Sequence, residues 1–289
     1  MFPESFEYFR PKTLAEASAL LKKHKGARLL AGGHSLLPAM KFRLATPKAL
    51  VDIGAIKGLS GIAAKGKSIW IGATTVHAEV AASKLLQKSC PLLPEAAAQI
   101  GDIQVRNRGT LGGSIAHADP AADYPTALVA LGATVVARGP RGERKIPAED
   151  FFVDLFTTAL KPGEIVTGVL VPVFGRGTGA AYLKHPHPAS RYAVAAAAAI
   201  VDVTNGVCSR ASLVIGGVSA TPVRVLKAQD ALVGRKPDAK SIEAAAAQVE
   251  ALVPDPMGDV YASGEFRVHL ASVLAKRALA AAFERAKKG

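Results

Sequence analysis

Two segments of the chain pair glycines with hydroxyl side chains: Ala31-Gly32-Gly33-His34-Ser35 and Thr110-Leu111-Gly112-Gly113-Ser114. Adjacent glycines reach backbone conformations that a Cβ forbids, and they let peptide N–H groups close on a ligand. A hydroxyl where a helix begins adds a donor beside the positive helix end, a combination that favours an anion such as phosphate. One such segment reads equally well as a tight strand-to-helix turn without a ligand. Two in one chain point to a pyrophosphate held between two turns. Arg106-Asn107-Arg108-Gly109 puts charge ahead of the second segment, and Asp119-Pro120-Ala121-Ala122-Asp123 follows it. A carboxylate there can accept from a ribose hydroxyl or a ring N–H.

Other residues carry weaker signals. Tyr192 is the right object to stack on a flat heteroaromatic ring, and reads equally as a core aromatic at a strand end. Lys184 is either a surface charge or a partner for an anionic ring. His34 lies inside the first glycine segment. His185 and His187 have metal-pair spacing, but prolines surround them and no third ligand is near, so they read as an ordinary loop. Gly61-Ile62-Ala63-Ala64-Lys65-Gly66-Lys67-Ser68 matches the P-loop string. That motif needs a strand before it and a helix after it. Ser68-Ile69-Trp70-Ile71-Gly72 instead alternates like a strand, so Lys65-Gly66 reads as a hairpin turn. No GxGxxG segment follows a strand, which leaves a Rossmann-type site without support. No catalytic set and no metal site is assigned.

The elements that position these residues follow from local signals. Thr13-Leu14-Ala15-Glu16 caps a helix with Leu14, Ala17, Leu20 and Leu21 inward, ended by Gly26. Arg28 to Ala31 is a strand running into the first glycine pair, and Ser35 caps the next short helix. Strands are expected over 49–53, 134–137, 143–146 and 164–171, and a hairpin over 59–73. Helices are expected near 76–83, 92–100 and 121–131. Gly175 to Gly179 marks a break. Beyond it, two long strands, 192–203 and 207–218, meet at Asn205-Gly206, a strong hairpin signal. Thr221-Pro222 is expected to open a helix, with further helices near 241–253 and 265–287. The fold class is α+β.

Composition narrows the function. The 289 residues suffice for two or three compact units. Hydrophobic residues make up 49% and charged ones 20%, as in a soluble globular protein. Two cysteines, Cys90 and Cys208, fit a reducing compartment and cannot ligate an iron–sulfur cluster or a Cys-based zinc site alone. The N-terminus lacks a signal-peptide pattern, and no apolar run reaches ~18 residues. A cytoplasmic protein is expected. The net charge is +13, and Arg10 to Lys48 carries nine Lys or Arg against one acid, Glu16. With few aromatics between the basic residues, an anionic ligand or acidic partner chain is favoured over nucleic acid.

Leu30 to Pro38 with Lys41-Phe42-Arg43-Leu44, and Thr110 to Ser114 with Ala118 to Asp123, resemble the medium, flavin-carrying subunit of aerobic carbon-monoxide-dehydrogenase-type molybdenum hydroxylases. Xanthine dehydrogenase carries a related flavin domain. The resemblance spans nearly the whole chain. It implies a two-lobed FAD-binding domain of PCMH type, like that of vanillyl-alcohol oxidase, over residues 1–176, with lobes of about 1–57 and 58–176. A smaller α+β domain of antiparallel sheet and helices follows over 177–289. It implies that Ala31, Gly32, Gly33, His34 and Ser35, with Thr110, Gly112, Gly113 and Ser114, hold the pyrophosphate. Asp123 would sit near the flavin ring, and Lys184 and Tyr192 would contact or cover it. Val166 matches a backbone contact, and Ile100 loosely matches an apolar one. The implied role is electron transfer to an external acceptor from two 2Fe–2S clusters on a small partner subunit. A large subunit holding the molybdenum cofactor oxidises the substrate. A dimer of heterotrimers is expected, not transmembrane, with peripheral membrane association left open. The rivals are a self-contained FAD-dependent oxidase and a non-redox nucleotide-binding protein. Ser114 stands where some relatives carry Asn.

Overall fold

A computed structural model describes residues 2–253 and 255–288. The outer ends of the expected domains, Met1 and Gly289, lie outside the described residues. The chain builds three main sheets in succession. The first contains β1 (Glu7–Phe9), β2 (Arg28–Leu30) and β3 (Ala49–Asp52), with helices α1 (Leu14–Lys23) and α2 (Leu36–Lys41) between them. All pairings are parallel, in the order β1-β3-β2. Thr13 accepts from the Glu16 N–H, so α1 starts where the sequence sets its cap. Its inner face, with Ala17, joins Val51, Ile53, Ile56 and Leu59 in a small core that Ile165 enters from the next unit.

The second unit opens with β4 (Ile62–Lys65) and β5 (Ser68–Gly72). These strands form the expected hairpin, with Gly66 at φ +61°. The P-loop string is therefore a strand turn. Lys67→Ala should leave cofactor content unchanged; measurable ATP binding that this variant loses would overturn the reading. Five short helices follow: α3 (His77–Ala82), α4 (Lys84–Ser89), α5 (Leu92–Ala98), α6 (Ile103–Arg106) and α7 (Leu111–His117). Then come α8 (Asp123–Leu131), β6 (Thr134–Gly139), β7 (Gly142–Pro147), α9 (Ala148–Phe151), β8 (Phe152–Asp154), β9 (Thr157–Thr158) and β10 (Ile165–Pro172). The sheet runs β4-β5-β10-β6-β7, antiparallel throughout.

The third unit contains β11 (Thr178–Pro186), β12 (Ala193–Thr204), β13 (Val207–Gly216), β14 (Val223–Arg224), α10 (Leu226–Leu232), α11 (Ala239–Ala246) and α12 (Gly264–Ala286). Its antiparallel sheet is covered on both faces. Ala196, Ala198 and Ile200 of β12 enter the core shared with α5 and α8, while Ala195, Ala197, Ala199 and Val201 enter the core under α12. Period-two alternation sends successive residues to opposite faces, so a strand buried on both reads as a continuous apolar run. Alanine there lets the layers approach closely.

One expected helix start is corrected. Thr221-Pro222 does not cap a helix; the next residues pair with β13, Ile215 with Val223 and Val214 with Arg224, and α10 begins only at Leu226. Arg224 holds the strand: Nε lies 3.0 Å from Glu149 Oε1, Nη1 donates to Ser212 Oγ at 2.8 Å and Nη2 to the Val129 carbonyl at 2.6 Å. Tertiary bonds outweigh the local capping signal. The chain does break before Thr178, but the edge strand β11 that follows, which no sequence signal marked, is a full nine-residue strand.

Candidate functional site

The first glycine segment links the end of β2 to the start of α2. Gly33 is left-handed, at φ +76°. Among the described residues, the N–H groups of Gly32, Gly33, His34 and Ser35 donate to no protein acceptor. Ser35 occupies the N-cap position of α2 but makes no side-chain cap bond. His34 Nδ1 lies 3.1 Å from the Gly32 carbonyl oxygen. Four successive free donors at a helix start, with the Ser35 hydroxyl beside the Tyr192 phenol, form an anion receptor. The donor set fits a pyrophosphate.

The second segment is chemically different, although its sequence looks like a repeat. Leu111 N–H donates to the Thr75 carbonyl at 3.0 Å and Gly112 N–H to the Ala73 carbonyl at 2.7 Å. Gly113 N–H donates to Thr110 Oγ1 at 3.1 Å, and Ser114 N–H to the Thr110 carbonyl at 3.0 Å. These donors are spent on the cap of α7 and on the end of β5. The segment offers close approach and hydroxyls instead. A Cβ on Gly112 would lie 2.7 Å from the Ala73 oxygen, and Gly113 is exposed with Ala31 Cβ 3.9 Å from its own Cβ position. The Ser114 hydroxyl makes no hydrogen bond among the described residues. Gly32 packs on the Arg108 carbonyl, with Gly109 Cα 2.8 Å from its Cβ position. The two segments are thus pressed together, with the free donors on the first.

His77 supports this junction from below. Its N–H donates to the Gly109 carbonyl at 3.0 Å, and its Nδ1 is 3.2 Å from the Tyr124 hydroxyl. Burial lowers the imidazole to about 4, and the nearby His34 and Arg106 push the same way. His77 is therefore neutral in the fold, while an unfolded imidazole takes its proton near 6.5. The unfolded state binds the extra proton between these values, so this contribution is full above pH ~6.5 and falls as pH drops towards ~4, by roughly 3 kcal/mol. Urea unfolding at pH 7 and 4.5 should show this loss, and His77→Gln should flatten it; an equal slope in both proteins would contradict it.

Asp123 opens α8 and is buried. Tyr182 donates to its Oδ1 at 2.7 Å, and Lys184 Nζ lies 2.8 Å from Oδ1 and 3.0 Å from Oδ2. Burial raises the Asp123 carboxyl above the usual range, with Lys184 and Tyr182 opposing; burial also lowers the Lys184 ammonium, with Asp123 opposing. Tyr192 is 39% exposed, with its phenol beside Ser35 and Asp119. Burial raises that phenol, the Asp119 carboxylate adds to the rise, and Ser35 pulls it back.

The structure thus brings together Ala31 to Ser35, Thr110 to Ser114 and Tyr192, and seals Asp123 and Lys184 behind them. Val166 is buried in β10 beside a register shift, one residue after the Ile165 that meets the core around Ala31. The Ile100 carbonyl accepts from Arg106 Nη1 at 2.9 Å. His185 lies in β11, and His187 Nδ1 caps a turn by accepting from Ala189 N–H at 3.2 Å. Sequence reasoning missed His77 and Tyr182. Only Tyr182 left a signal: with Lys184 it shares one face of a strand at period two. One concavity of about 220 Å³ lies between the second sheet and Leu14 with Lys57 to Leu59, and another of about 290 Å³ lies at the β6–β7 hairpin; no glycine-segment residue lines either. The receptor is defined by its donors rather than by a cavity.

Known proteins share this fold. Residues 4–174 match the family described as FAD binding domain in molybdopterin dehydrogenase, and residues 180–282 match the CO dehydrogenase flavoprotein C-terminal domain. The chain is 40% identical to the carbon monoxide dehydrogenase medium chain of Afipia carboxidovorans, over 99% of this chain and 100% of that one. It is also 40% identical to the 6-hydroxypseudooxynicotine dehydrogenase complex subunit alpha of Paenarthrobacter nicotinovorans, over 99% and 97%. A solved carbon monoxide dehydrogenase from Hydrogenophaga pseudoflava, lacking the Mo-pyranopterin moiety of its molybdenum cofactor, superposes with a TM-score of 0.95 at 40% identity, covering 99% of both chains. No helix among the described residues is long and apolar enough to cross a membrane. The chain belongs to the family of FAD-binding medium subunits of molybdenum hydroxylases of the carbon monoxide dehydrogenase and xanthine dehydrogenase type.

Proposed function

We propose that this chain uses FAD as the exit station of a molybdenum hydroxylase complex. Electrons reach it from two 2Fe–2S clusters on a small partner subunit, fed by a large molybdenum subunit, and leave to a quinone, oxygen or another external carrier. The observation that supports this best is the row of four free N–H groups from Gly32 to Ser35, pressed against the Arg108–Gly109 backbone. On this reading the row and the Ser35, Thr110 and Ser114 hydroxyls hold the pyrophosphate. Gly112 and Gly113 bring the second segment close enough to share it, and His34 lines the same cleft. Tyr192 covers the ring, Val166 meets it through backbone, and Asp123 and Lys184 stand behind Tyr192. Bound FAD supplies the exchange between one-electron and two-electron carriers, and the protein supplies binding, orientation and electrostatics.

The cysteines support a division of labour. Cys90 and Cys208 are both buried, and burial pushes the Cys90 thiol up to about 12, so the clusters belong on another chain. Substrate choice then rests with the large subunit, in keeping with relatives named for substrates as different as carbon monoxide and 6-hydroxypseudooxynicotine. The complex is a cytoplasmic dimer of heterotrimers on this reading. Native mass spectrometry with flavin, iron and molybdenum analysis tests it. Two partner chains with FAD, iron and molybdenum are expected. A colourless chain that takes up no added FAD would overturn the flavin role, and a flavin-loaded chain that acts on substrate alone would overturn the subunit role.

A further inference from the structure

Lys184 is the most enclosed charge near the site. Its side chain is 1% exposed. Besides Asp123 it has one other partner: Nζ donates to the Arg191 carbonyl oxygen at 2.7 Å. That carbonyl belongs to the peptide joining Arg191 to Tyr192. Arg191 is left-handed at φ +60°, a conformation that costs a residue with a Cβ. Its N–H donates to the His187 carbonyl at 2.8 Å, and the His187 N–H donates to the Tyr192 carbonyl at 2.8 Å. The 187–192 turn is therefore tied at its ends, and the Lys184 bond sets the plane of the peptide that aims the Tyr192 ring. A charge-assisted bond is strong enough to hold a strained peptide.

We infer that the sealed Asp123–Lys184 pair positions Tyr192: Asp123, held by Tyr182, fixes the Lys184 ammonium, and Lys184 fixes the Arg191–Tyr192 peptide across from Ser35. This rests on the FAD reading for what Tyr192 covers, but the geometry of the turn is independent of it. Lys184 is a positioning residue, acting through Arg191 rather than by touching the cofactor. A pair serving only to join α8 to β11 would need no third bond. An apolar pair of similar volume often serves stability as well as a buried ion pair. The bond to Arg191 gives the charge a task that an apolar residue could not perform.

The test uses the full chain in two states. Without flavin, trypsin cleavage after Arg191 should be at least tenfold faster in Lys184→Met, because the exposed turn loses its inner anchor. With FAD added, a tyrosine stacked on flavin quenches its emission. Emission per bound flavin should rise several-fold in Lys184→Met, to the level of Tyr192→Ala, and the double variant should rise no further. Lys184→Gln should behave like Lys184→Met if the latter fails to fold. Unchanged cleavage, additive emission in the double variant, or a Tyr192→Ala protein as dim as the unsubstituted chain would each overturn the inference. A chain that binds no flavin fails the FAD reading instead, and the cleavage rates alone then decide this one.

Discussion

Gly32→Val should cost the chain its flavin, with a loss of affinity beyond a hundredfold. A Cβ at position 32 falls on the Arg108 carbonyl oxygen, and it lies 2.8 Å from Gly109 Cα. Both obstacles are backbone and cannot swing aside as a side chain can, so the two glycine segments must separate. Hydrogen bonds to a charged acceptor contribute about 1.5–3 kcal/mol each, so misdirecting two of the four donors costs about 3 kcal/mol or more. Neighbouring glycines set the scale. Gly113→Val should be nearly as severe, since its Cβ lies 2.8 Å from the Thr110 Oγ1 that caps α7. Gly33→Ala meets side chains alone, Leu37 Cδ1 at 2.8 Å and Leu30 Cδ1 at 3.3 Å, but must adopt φ +76°. A β-branched or bulkier residue there should lose the flavin as well. Gly26→Ala, at φ +80° with nothing within 4 Å, pays backbone strain alone and should keep its flavin. Flavin-to-protein ratios after denaturing release check the ranking, and full occupancy in Gly32→Val would sink the pyrophosphate assignment.

How far the sequence reveals such a site depends on the range of its bonds. The Thr13 cap, the Lys65-Gly66 turn and the Asn205-Gly206 turn are settled within a few residues, and each stands where the sequence puts it. The Gly32–Gly33 and Gly112–Gly113 pairs are legible for the same reason: close approach needs glycine, whatever approaches. Which pair keeps its donors free is not legible. The carbonyls that consume Leu111 N–H and Gly112 N–H come from Thr75 and Ala73, nearly 40 residues earlier, and no local pattern encodes that. Arg224 likewise turns an expected helix start into a strand through Glu149, Ser212 and Val129. The enclosure of Lys184 rests on Asp123, 61 residues away in sequence. Both residues were marked by family resemblance as neighbours of the ring, but only the fold reveals that they pair with each other. The third unit also appears in sequence as two strands and helices, while the alanine run of β12 becomes intelligible only when cores are found on both of its faces.

That double-sided packing makes the C-terminal unit a structural part of the site, and Arg267 shows how strongly. It lies in α12 at 7% exposure. Its Nη1 donates to the Gly217 carbonyl at 3.1 Å and the Val194 carbonyl at 3.3 Å, and Nη2 meets Asp259 Oδ2 at 2.5 Å. The same strand ends grip the turn before α8: Gly217 N–H donates to the Pro120 carbonyl at 3.1 Å and Ala193 N–H to the Ala121 carbonyl at 3.0 Å. Arg267→Met keeps the apolar stem but strands two buried carbonyls, each worth about 1–3 kcal/mol. Unfolding free energy should therefore fall by about 3 kcal/mol, and flavin retention should fall with it, because the turn carrying Asp119 and Asp123 loses its clamp. Arg267→Lys should recover part of the stability, since an ammonium can reach one carbonyl but cannot reproduce the planar fork. Urea unfolding followed in parallel with flavin release separates this from Gly32→Val, which should lose flavin with far less loss of stability. A normal unfolding midpoint in Arg267→Met would mean that the clamp is held by the strands alone. Normal stability with lost flavin would mean that Arg267 acts on the cofactor by some route other than the Pro120–Ala121 turn.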